Sequence, residues 1–546
     1  MTHALQKGWY LLGDSRPSAD RAGLLSALQR LDQDVAIVLV DGQPHWATGG
    51  AAVLTGPAPQ PPGTDALPLL AHVAPLTPDR LGDPGFCRAY GVSAPYVAGA
   101  MANGIGSEEV VIAMARAGLL GFFGAAGLPV ARIEQAIDRI QGAVGELAYG
   151  FNLIHSPNEP AAEQNTVDLY LRRGVHVVSA SAYMKLTAPL VQYRAAGLRR
   201  APDGRILRMN RVIAKVSRPE VAAHFLRPAP KAMLDALVAA GRITPDQAAL
   251  AARVPVADDI TAEADSGGHT DRRPLPVLLP LLQDLRDRMA REYGYDDVLG
   301  ETVRIGAAGG LGAPASVAAA FQLGAAYVLT GTVNQACVEA GTSPMVKAML
   351  AQAGFADVGM APAGDMFEQG AEVQVLTRGS LFARRGHRLR EWHKRYDSLD
   401  ELAPDEKTEL EEKILRRPVA DVWAECERFF AERDPEQLER ARKNPRHQMA
   451  LVFRWYLGLS SRWAISGEPT RKADVQVWCG PAIGAFNAWT AGSFLASPEA
   501  RRVDVVAANL LAGAAALMRA RALLQQGVDP GPEAFTYVAR PLSPRS

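Results

Sequence analysis

The stretch that decides the fold is IGAAGGLGAPASVAAAFQLGAAYVLTGT, residues Ile305 to Thr332. A short apolar run ends in Gly309-Gly310, an alanine-rich segment of helical length follows, and a second apolar run ends in Gly331-Thr332. This order is typical of the last two strands of a (β/α)8 barrel, where main-chain N–H groups bind phosphate. We predict a phosphate site at these four residues. The alternative is that the glycines only make tight turns.

Short apolar runs alternate with helical segments from Tyr96 onward, the pattern of βα units around a parallel sheet. There are eight runs, and eight strands close a barrel. The runs are Tyr96–Gly99, Gly118–Phe123, Tyr149–Ile154, Val175–Ser179, Val212–Val216, Ile260–Glu263, Val303–Ala307 and Ala326–Thr330. We predict an α/β protein built on a (β/α)8 TIM barrel, with functional residues at the carboxyl ends of the strands.

The rest of the sequence predicts additions to the barrel. Residues 1–85 carry alternating apolar segments and a proline-rich stretch, which indicates a small N-terminal β-containing domain. The barrel is expected over residues 86–343. Residues 344–469 are charged and helical in pattern and are expected to form a cap inserted after strand 8. Residues 470–546 are expected to return to the barrel.

Composition narrows the functional classes. Hydrophobic residues make up 48% of the 546 residues and charged residues 21%, with a formal net charge of zero. This profile is that of a globular protein and indicates neither nucleic-acid nor membrane binding. The four cysteines show no CxxC spacing, which disfavours disulfides and structural zinc and fits a reducing cytoplasm. The first ten residues lack the charged and apolar regions of a secretory signal.

The sixth run leads into EADSGGH, residues Glu263 to His269. Glycines ahead of a histidine let the backbone approach a flat ring, and imidazole exchanges protons near neutral pH. We predict that His269 is catalytic and that Ser266, Gly267 and Gly268 bind a cofactor. The alternative is a loop histidine bonded to main chain.

Small residues follow the first run, and an amide lies in the third. Ala100, Met101 and Ala102 leave room for a flat ring against the strand end, and Asn152 could bond the edge of that ring. The alternative is that the small residues only pack ahead of a helix that Ser107 caps. Both interpretations stay open at this point.

Lys215 lies in an otherwise apolar strand. A lysine inside a barrel is costly unless it meets a negative partner. The anionic edge of a reduced flavin would serve, and so would a barrel carboxylate such as Glu263. We predict that Lys215 contacts the cofactor.

The predicted cap carries a basic run, residues 378–395, ahead of an acidic stretch, residues 397–412. A dense basic run is commonly a solvated helix face, but it can also dock an acidic partner by electrostatic complementarity. Arg384, Arg385 and Arg388 are the candidate partner contacts.

From about Ser93 to the carboxyl terminus, the sequence resembles the PfaD family. These are the trans-acting enoyl reductases of polyunsaturated fatty acid and trans-acyltransferase polyketide synthases, within the nitronate monooxygenase-like flavin barrels. The matching motifs are YVAGAMANGIGS, YGFNLIHSPNEP, ITAEADSGGHTDRRP, VRIGAAGGLGAP, VLTGTVNQACVEAGTS and, in the cap, APAGDMFEQGAEVQVLTRGSLFARR.

The resemblance implies FMN and NADPH as cofactors and an enoyl thioester on an acyl carrier protein as substrate. His269 occupies the position that matches the family's active-site histidine. His155, in the second motif, is another candidate to supply a proton. The oligomeric state stays open, with a homodimer as one candidate.

Three other functions compete with this interpretation. A nitronate monooxygenase-like oxidase would use the histidine as a base on a small nitro compound, but a small substrate does not require a long cap. An inosine monophosphate dehydrogenase-type barrel needs a cysteine after the sixth strand, where this chain has Ser266 and His269. A non-catalytic scaffold would use the basic cap to bind an acidic carrier protein.

Overall fold

The computed structural model describes residues 6–54, 66–155 and 160–542. The strands are β1 (Gly8–Leu11), β2 (Val35–Val40), β3 (Gln43–Ala47), β4 (Ala51–Val53), β5 (Ala66–Val73), β6 (Tyr96–Ala98), β7 (Leu120–Phe123), β8 (Gly150–Ile154), β9 (Val177–Ser181), β10 (Leu198–Arg200), β11 (Ile206–Arg208), β12 (Arg211–Val216), β13 (Asp259–Glu263), β14 (Gly268–His269), β15 (Arg304–Ala308), β16 (Val328–Thr330), β17 (Val358–Pro362) and β18 (Glu372–Leu376).

The α-helices are α1 (Arg21–Gln29), α2 (Pro84–Tyr90), α3 (Glu108–Arg116), α4 (Val130–Val144), α5 (Pro160–Arg173), α6 (Ala188–Ala196), α7 (Pro219–Leu226), α8 (Lys231–Ala239), α9 (Pro245–Ala251), α10 (Leu275–Tyr293), α11 (Tyr295–Leu299), α12 (Pro314–Gln322), α13 (Thr332–Gln335), α14 (Pro344–Ala351), α15 (Phe382–Arg395), α16 (Pro404–Thr408), α17 (Val419–Arg433), α18 (Pro435–Lys443), α19 (Pro445–Ser466), α20 (Ala482–Thr490) and α21 (Val503–Gln525).

Eight parallel strands close into a barrel, in the order β6-β7-β8-β9-β12-β13-β15-β16 and back to β6. Each of the eight predicted strands is present, with bounds within two residues of the prediction. The strands β7 and β15 are buried along their whole length, as expected for strands covered by helices on one side and packed inside the barrel on the other. The predicted TIM barrel is therefore confirmed.

The last long helix, α21, belongs to the core. It is long and apolar enough to span a bilayer, yet 78% of its most apolar window is buried inside the fold. It packs against α12, and Gly513 allows the close approach, because a Cβ there would lie 2.7 Å from the ring of Pro314. The alanine-rich composition of α21 is thus explained by close helix packing.

The N-terminal strands form an antiparallel sheet of five strands in the order β3-β2-β5-β1-β4. Its helix α1 is fixed to α21 by Arg519, a buried guanidinium that donates to the carbonyls of Leu28, Arg30 and Gln33. The β-containing N-terminal segment predicted from sequence is present. It packs on the barrel's last helix.

The segment after β16 forms the predicted helical cap, α15 to α19, but it contains a β-hairpin that the sequence did not predict. Strands β17 and β18 pair with each other, and β18 also pairs with the two-residue strand β14. The result is a three-stranded sheet that joins the loop after the sixth barrel strand to the cap.

Candidate active site

The two predicted phosphate turns lie side by side at the carboxyl ends of β15 and β16. Ala308 pairs with Leu329, so the turns that contain Gly310 and Gly331 each begin within two residues of this pair, on neighbouring strands. Neighbouring strands lie about 4.8 Å apart. Gly309 has φ 92° and Gly310 φ 72°, values in the left-handed region that favours glycine. The sequence therefore placed the two turns correctly.

Both turns leave space where an anion would bind. A Cβ added at Gly310 or at Gly331 would meet no atom within 4 Å. The N–H groups of these two glycines donate to no other residue that the structure describes. N–H groups without a protein acceptor, in turns with space beside them, are features that a phosphate-binding turn requires. The turns thus fit a phosphate group.

A segment that the sequence analysis did not assign to the site covers these turns. The N–H of Gly480 donates to the Thr332 hydroxyl at 3.2 Å. A Cβ on Gly312 would lie 2.0 Å from the carbonyl oxygen of Ala482. The chain that returns from the cap therefore packs against the turn after β15 and hydrogen-bonds to Thr332, the second residue after β16. The Gly480-Pro481 pair was the signal for a turn there, but not for its position.

His269 lies on β14 and pairs with Val373 of the cap hairpin. Its Nε2 is 3.3 Å from a carboxylate oxygen of Asp365, in the loop between β17 and β18. This hydrogen bond raises the pKa of His269. With 55% of its side chain exposed, His269 combines a carboxylate partner with access to solvent. The carboxylate replaces the main-chain partner that the alternative interpretation expected.

The glycines ahead of His269 are explained first by packing. A Cβ on Gly267 would lie 2.8 Å from the backbone nitrogen of Cys479, so only glycine fits there. The Ser266 hydroxyl donates to Glu263 at 3.4 Å. Gly268 adopts φ 83° and pairs with Gln374. Cofactor contact by Ser266, Gly267 and Gly268 stays a prediction.

His155 follows β8 and belongs to a polar network that the sequence analysis missed. Its Nδ1 lies 3.0 Å from Glu163, whose other carboxylate oxygen accepts from the hydroxyls of Tyr183, at 2.8 Å, and Thr187. The imidazole also stacks on the Tyr183 ring, with centroids 5.6 Å apart. Burial, together with the Glu163 charge, raises the pKa of Tyr183 well above its usual range, so Tyr183 stays a donor. The network fixes the histidine ring by its Nδ1.

Lys215 makes the ion pair that the sequence left open as an alternative. Its Nζ lies 2.8 Å from Glu263, and the two side chains are 24% and 18% exposed. The pair joins β12 to β13 close to their carboxyl ends. The ammonium therefore has an internal partner, and its contact with a cofactor stays a prediction.

The residues at the ends of β6 and β8 are also engaged within the protein. The Asn152 amide nitrogen donates to the Ser179 carbonyl at 3.0 Å, which ties β8 to β9. The Met101 carbonyl accepts from the Gly106 N–H at 2.9 Å, and Ser107 caps α3 as the alternative interpretation proposed. Cofactor contact by Ala100, Met101, Ala102 and Asn152 stays a prediction.

The three cap arginines differ in what they contact. Arg385 forms an ion pair with Asp474, whose side chain is fully buried, so Arg385 is a structural residue of the cap. Arg388 lies over the Trp392 ring and pairs with glutamates of the acidic stretch. Arg384 is exposed and makes no ion pair with any residue in the described ranges. Arg385 therefore already has an internal partner, and partner contact by Arg384, Arg385 and Arg388 stays a prediction.

Comparisons with known proteins agree with this architecture. Residues 89–380 match the family model described as nitronate monooxygenase, which covers more than half of the chain. Residues 396–475 match the inserted helical domain of [acyl-carrier-protein] S-malonyltransferase. This second match covers most of the cap.

Similar proteins come from lipid and polyketide synthesis. The chain is 49% identical over 456 residues to a polyunsaturated fatty acid synthase protein of Thraustochytrium sp., covering 83% of this chain and 30% of that protein. It is 44% identical over 447 residues to polyketide biosynthesis protein PksE of Bacillus subtilis, covering 82% and 57%. The chain thus spans less than two thirds of the length of these curated relatives.

A solved structure extends the comparison to three dimensions. The crystal structure of the enoyl reductase domain of MlnA, from the macrolactin biosynthesis cluster from Bacillus amyloliquefaciens, superposes with a TM-score of 0.77 at 40% identity. The alignment covers 81% of this chain and 99% of that domain. Together, the family model and the solved domain show that the chain belongs to the nitronate monooxygenase family, in the PfaD-type branch that its motifs indicated.

Proposed function

We propose that this chain is an FMN-dependent, NADPH-using trans-acting enoyl reductase. Its substrate would be the 2,3 double bond of an enoyl thioester on an acyl carrier protein of polyketide or polyunsaturated fatty acid synthesis. The observation that carries the proposal is the pair of open glycine turns at Gly310 and Gly331. They occur in a chain that is 40% identical to a solved enoyl reductase domain over 99% of that domain.

The residues that would hold FMN are those of the two turns. The N–H groups of Gly310 and Gly331 would bind the phosphate, while Lys215 would face the ring edge from the barrel interior. FMN, when bound, supplies the hydride chemistry, and the protein supplies orientation and electrostatics. Membership in the nitronate monooxygenase family supports a flavin.

The reduction also needs an acid to protonate the α carbon. His269 suits this role because its partner Asp365 raises its pKa, which keeps a larger fraction of the imidazole protonated near neutral pH. His155 is the second candidate, held through Nδ1 by Glu163. Both histidines follow carboxyl ends of barrel strands, where active sites of this fold lie.

The cap is the part that would meet the carrier protein. Its helices match the inserted helical domain of [acyl-carrier-protein] S-malonyltransferase, an enzyme named for its acyl carrier protein. The exposed Arg384 is a candidate contact for an acidic carrier surface, since complementary charge speeds association. A small nitro substrate would not need this domain.

The test is a three-step assay on the purified protein. We expect a yellow preparation with a flavin absorbance band, bleaching of that band by NADPH without oxygen, and its return when a crotonyl carrier-protein thioester is added. Bleaching of the band by a nitronate and its return with oxygen, without any return on addition of the thioester, would favour the oxidase. A colourless protein that does not bind added FMN would contradict the proposal and favour a scaffold.

A further inference from the structure

The cap contains a basic cavity outside the site described above. It has a volume of about 300 Å³ and lies between α15, the start of α19 and the loop joining β17 to β18. Three cationic side chains line it, Arg390, Lys394 and Arg446, against one carboxylate, Glu368. Its volume is at the lower end of the range for small-molecule sites.

The single carboxylate of the lining already has partners within the cap. His447, which is buried, approaches Glu368 at 2.9 Å through Nδ1, and Arg454 lies 4.0 Å away. Lys394 is exposed and has no carboxylate partner among the described residues. The lining therefore keeps a surplus of positive charge, the condition under which an anion binds.

The two arginines of the lining also reach carboxylates outside it. Arg390 lies 3.0 Å from Glu372, and Arg446 lies 3.4 Å from Asp397, which is 81% exposed. A solvated pair such as the second contributes little to stability, so an incoming anion can compete with Asp397 for the guanidinium. Lys394 is the cation that makes no such pair within the described ranges, and it is the residue to change in a test.

Nitrogen atoms beside the cavity also lack partners. The Nε of Arg390 and the Nε2 of His393 are buried and find no hydrogen-bond partner among the residues described. Buried polar groups are normally paired, so orphaned nitrogens beside a cavity need an explanation. Burial, together with the nearby Arg446, lowers the pKa of His393, as expected where positive charge is in excess.

One loop contacts both the cavity and the candidate active site. Asp365 of the loop between β17 and β18 contacts His269, while Phe367, Glu368 and Gly370 of the same loop line the cavity. On its other side the cavity is lined by residues of the segment that matches the malonyltransferase helical domain, among them Arg446. A ligand bound here would thus bridge the cap and the loop that holds His269's partner.

We infer that this cavity binds a phosphate group of a reaction component. The inference rests on the proposed function, which involves two phosphate-bearing molecules besides the FMN assigned to the barrel turns. These are NADPH, with its 2′-phosphate, and the carrier protein, with the phosphodiester of its phosphopantetheine arm. Guanidinium and ammonium groups bind phosphate through charge-assisted hydrogen bonds, whereas a neutral chain would gain nothing from this lining.

The test measures binding, without turnover. Calorimetry on the 546-residue chain would use adenosine 2′,5′-bisphosphate as the probe for NADPH and 4′-phosphopantetheine as the probe for the carrier. Lys394→Glu is expected to weaken the affinity for whichever probe binds in the cavity by about tenfold or more, as for loss of a charge-assisted contact. Lys443→Ala is the control, an exposed lysine on α18 outside the cavity, and should leave binding unchanged.

The two probes separate the two sources. If Lys394→Glu weakens the binding of adenosine 2′,5′-bisphosphate alone, the cavity is assigned to the dinucleotide. If it weakens the binding of phosphopantetheine alone, the cavity is assigned to the carrier arm. If neither probe binds, or if Lys394→Glu and Lys443→Ala behave alike, the inference is overturned. If the protein binds a probe through Lys394 but does not reduce enoyl thioesters, the proposed function is contradicted and this binding site is still supported.

Discussion

Gly331 offers the sharpest test of the phosphate assignment. Its φ is −125°, outside the left-handed region, and an added Cβ meets no atom within 4 Å. Gly331→Ala and Gly331→Val should therefore fold with little change in stability, yet fill the space that the phosphate needs. Substitution of Gly310 is a weaker test, because its φ of 72° adds backbone strain of about 1 kcal/mol or more to any side chain.

The expected loss follows from the N–H that Gly331 offers. A hydrogen bond to a charged group contributes about 1.5–3 kcal/mol, so displacing the phosphate from one donor should weaken FMN binding by roughly 10- to 150-fold. Quenching of flavin fluorescence on titration into apoprotein measures the Kd. The Val variant should show the larger effect, since it fills more of the space.

The control is Gly142→Ala, at an exposed glycine inside α4 where a Cβ also meets no atom within 4 Å. This change should leave FMN affinity unchanged and raise stability by about 0.5–1 kcal/mol, because alanine is a better helix former. FMN affinity of Gly331→Val equal to that of the parent protein, with normal thermal unfolding of both apoproteins, would refute the phosphate assignment.

Three further predictions concern the histidines and the cap. Asp365→Asn should lower the pKa of His269 toward its ordinary value and shift the alkaline limb of kcat/KM to lower pH. NMR titration of the imidazole measures the pKa directly. An unchanged His269 titration would contradict the prediction. If His155 is the acid that protonates the α carbon, Glu163→Gln should reduce kcat by roughly tenfold or more. In the double variant it should add little to the effect of His155→Ala, because Glu163 and His155 act as a unit. Asp474→Ala should destabilise the cap by about 3–5 kcal/mol in chemical denaturation, since it leaves buried arginine charge unpaired.

The pairing of His269 with Asp365 also makes the stability of the fold depend on pH, in a direction set by the raised pKa of His269. Its pKa is raised in the folded protein, so the favourable pairing with Asp365 is fully present below the unfolded pKa. The contribution is lost as pH rises through the folded pKa. Asp365→Asn should therefore reduce the difference in stability between acid and alkaline solution. Because both side chains are more than half exposed, the change should be small.

Arg384→Ala is the matched control for the Asp474 prediction. It removes a neighbour of Arg385 that is exposed and has no ion pair in the described part of the chain. Its effect on stability should stay within about 0.5 kcal/mol, as for ordinary surface substitutions. Equal destabilisation by Asp474→Ala and Arg384→Ala would show that the buried ion pair does not hold the cap together.

The barrel could be predicted because its signals are local. Each barrel strand is a short apolar run, and the turns at Gly309 and Gly331 directly follow the runs that position them. The partners of the candidate histidines could not be predicted in this way. Asp365 lies 96 positions after His269 in the numbering, and its contact depends on the two-residue strand β14, too short to leave a periodic pattern.

The same limit applies to the internal partners of the cap arginines. A basic run on a helix gives no indication of which side chains face a buried carboxylate, since that depends on a residue far along the chain. Arg385 and Arg384 are adjacent in sequence, yet only Arg385 reaches Asp474 on the segment that follows α19. The partner of Lys215 was easier to predict. Glu263 lies on the neighbouring strand, and the sequence already offered it as the alternative to a cofactor contact. Charge patterns therefore predicted a surface, but not which arginines belong to it.

The pairing of β14 with the cap hairpin argues that the cap is part of the active site and more than a docking platform. His269 takes its strand partner from β18 and its carboxylate from the adjoining loop, so a barrel without this hairpin would lose both. A flavin oxidase for a small molecule has no need of such a connection, whereas a reductase acting on a tethered chain must align a large partner with one proton donor. In this chain the loop that carries Asp365 also lines the basic cavity, so one loop contacts both the proposed acid and the proposed phosphate site.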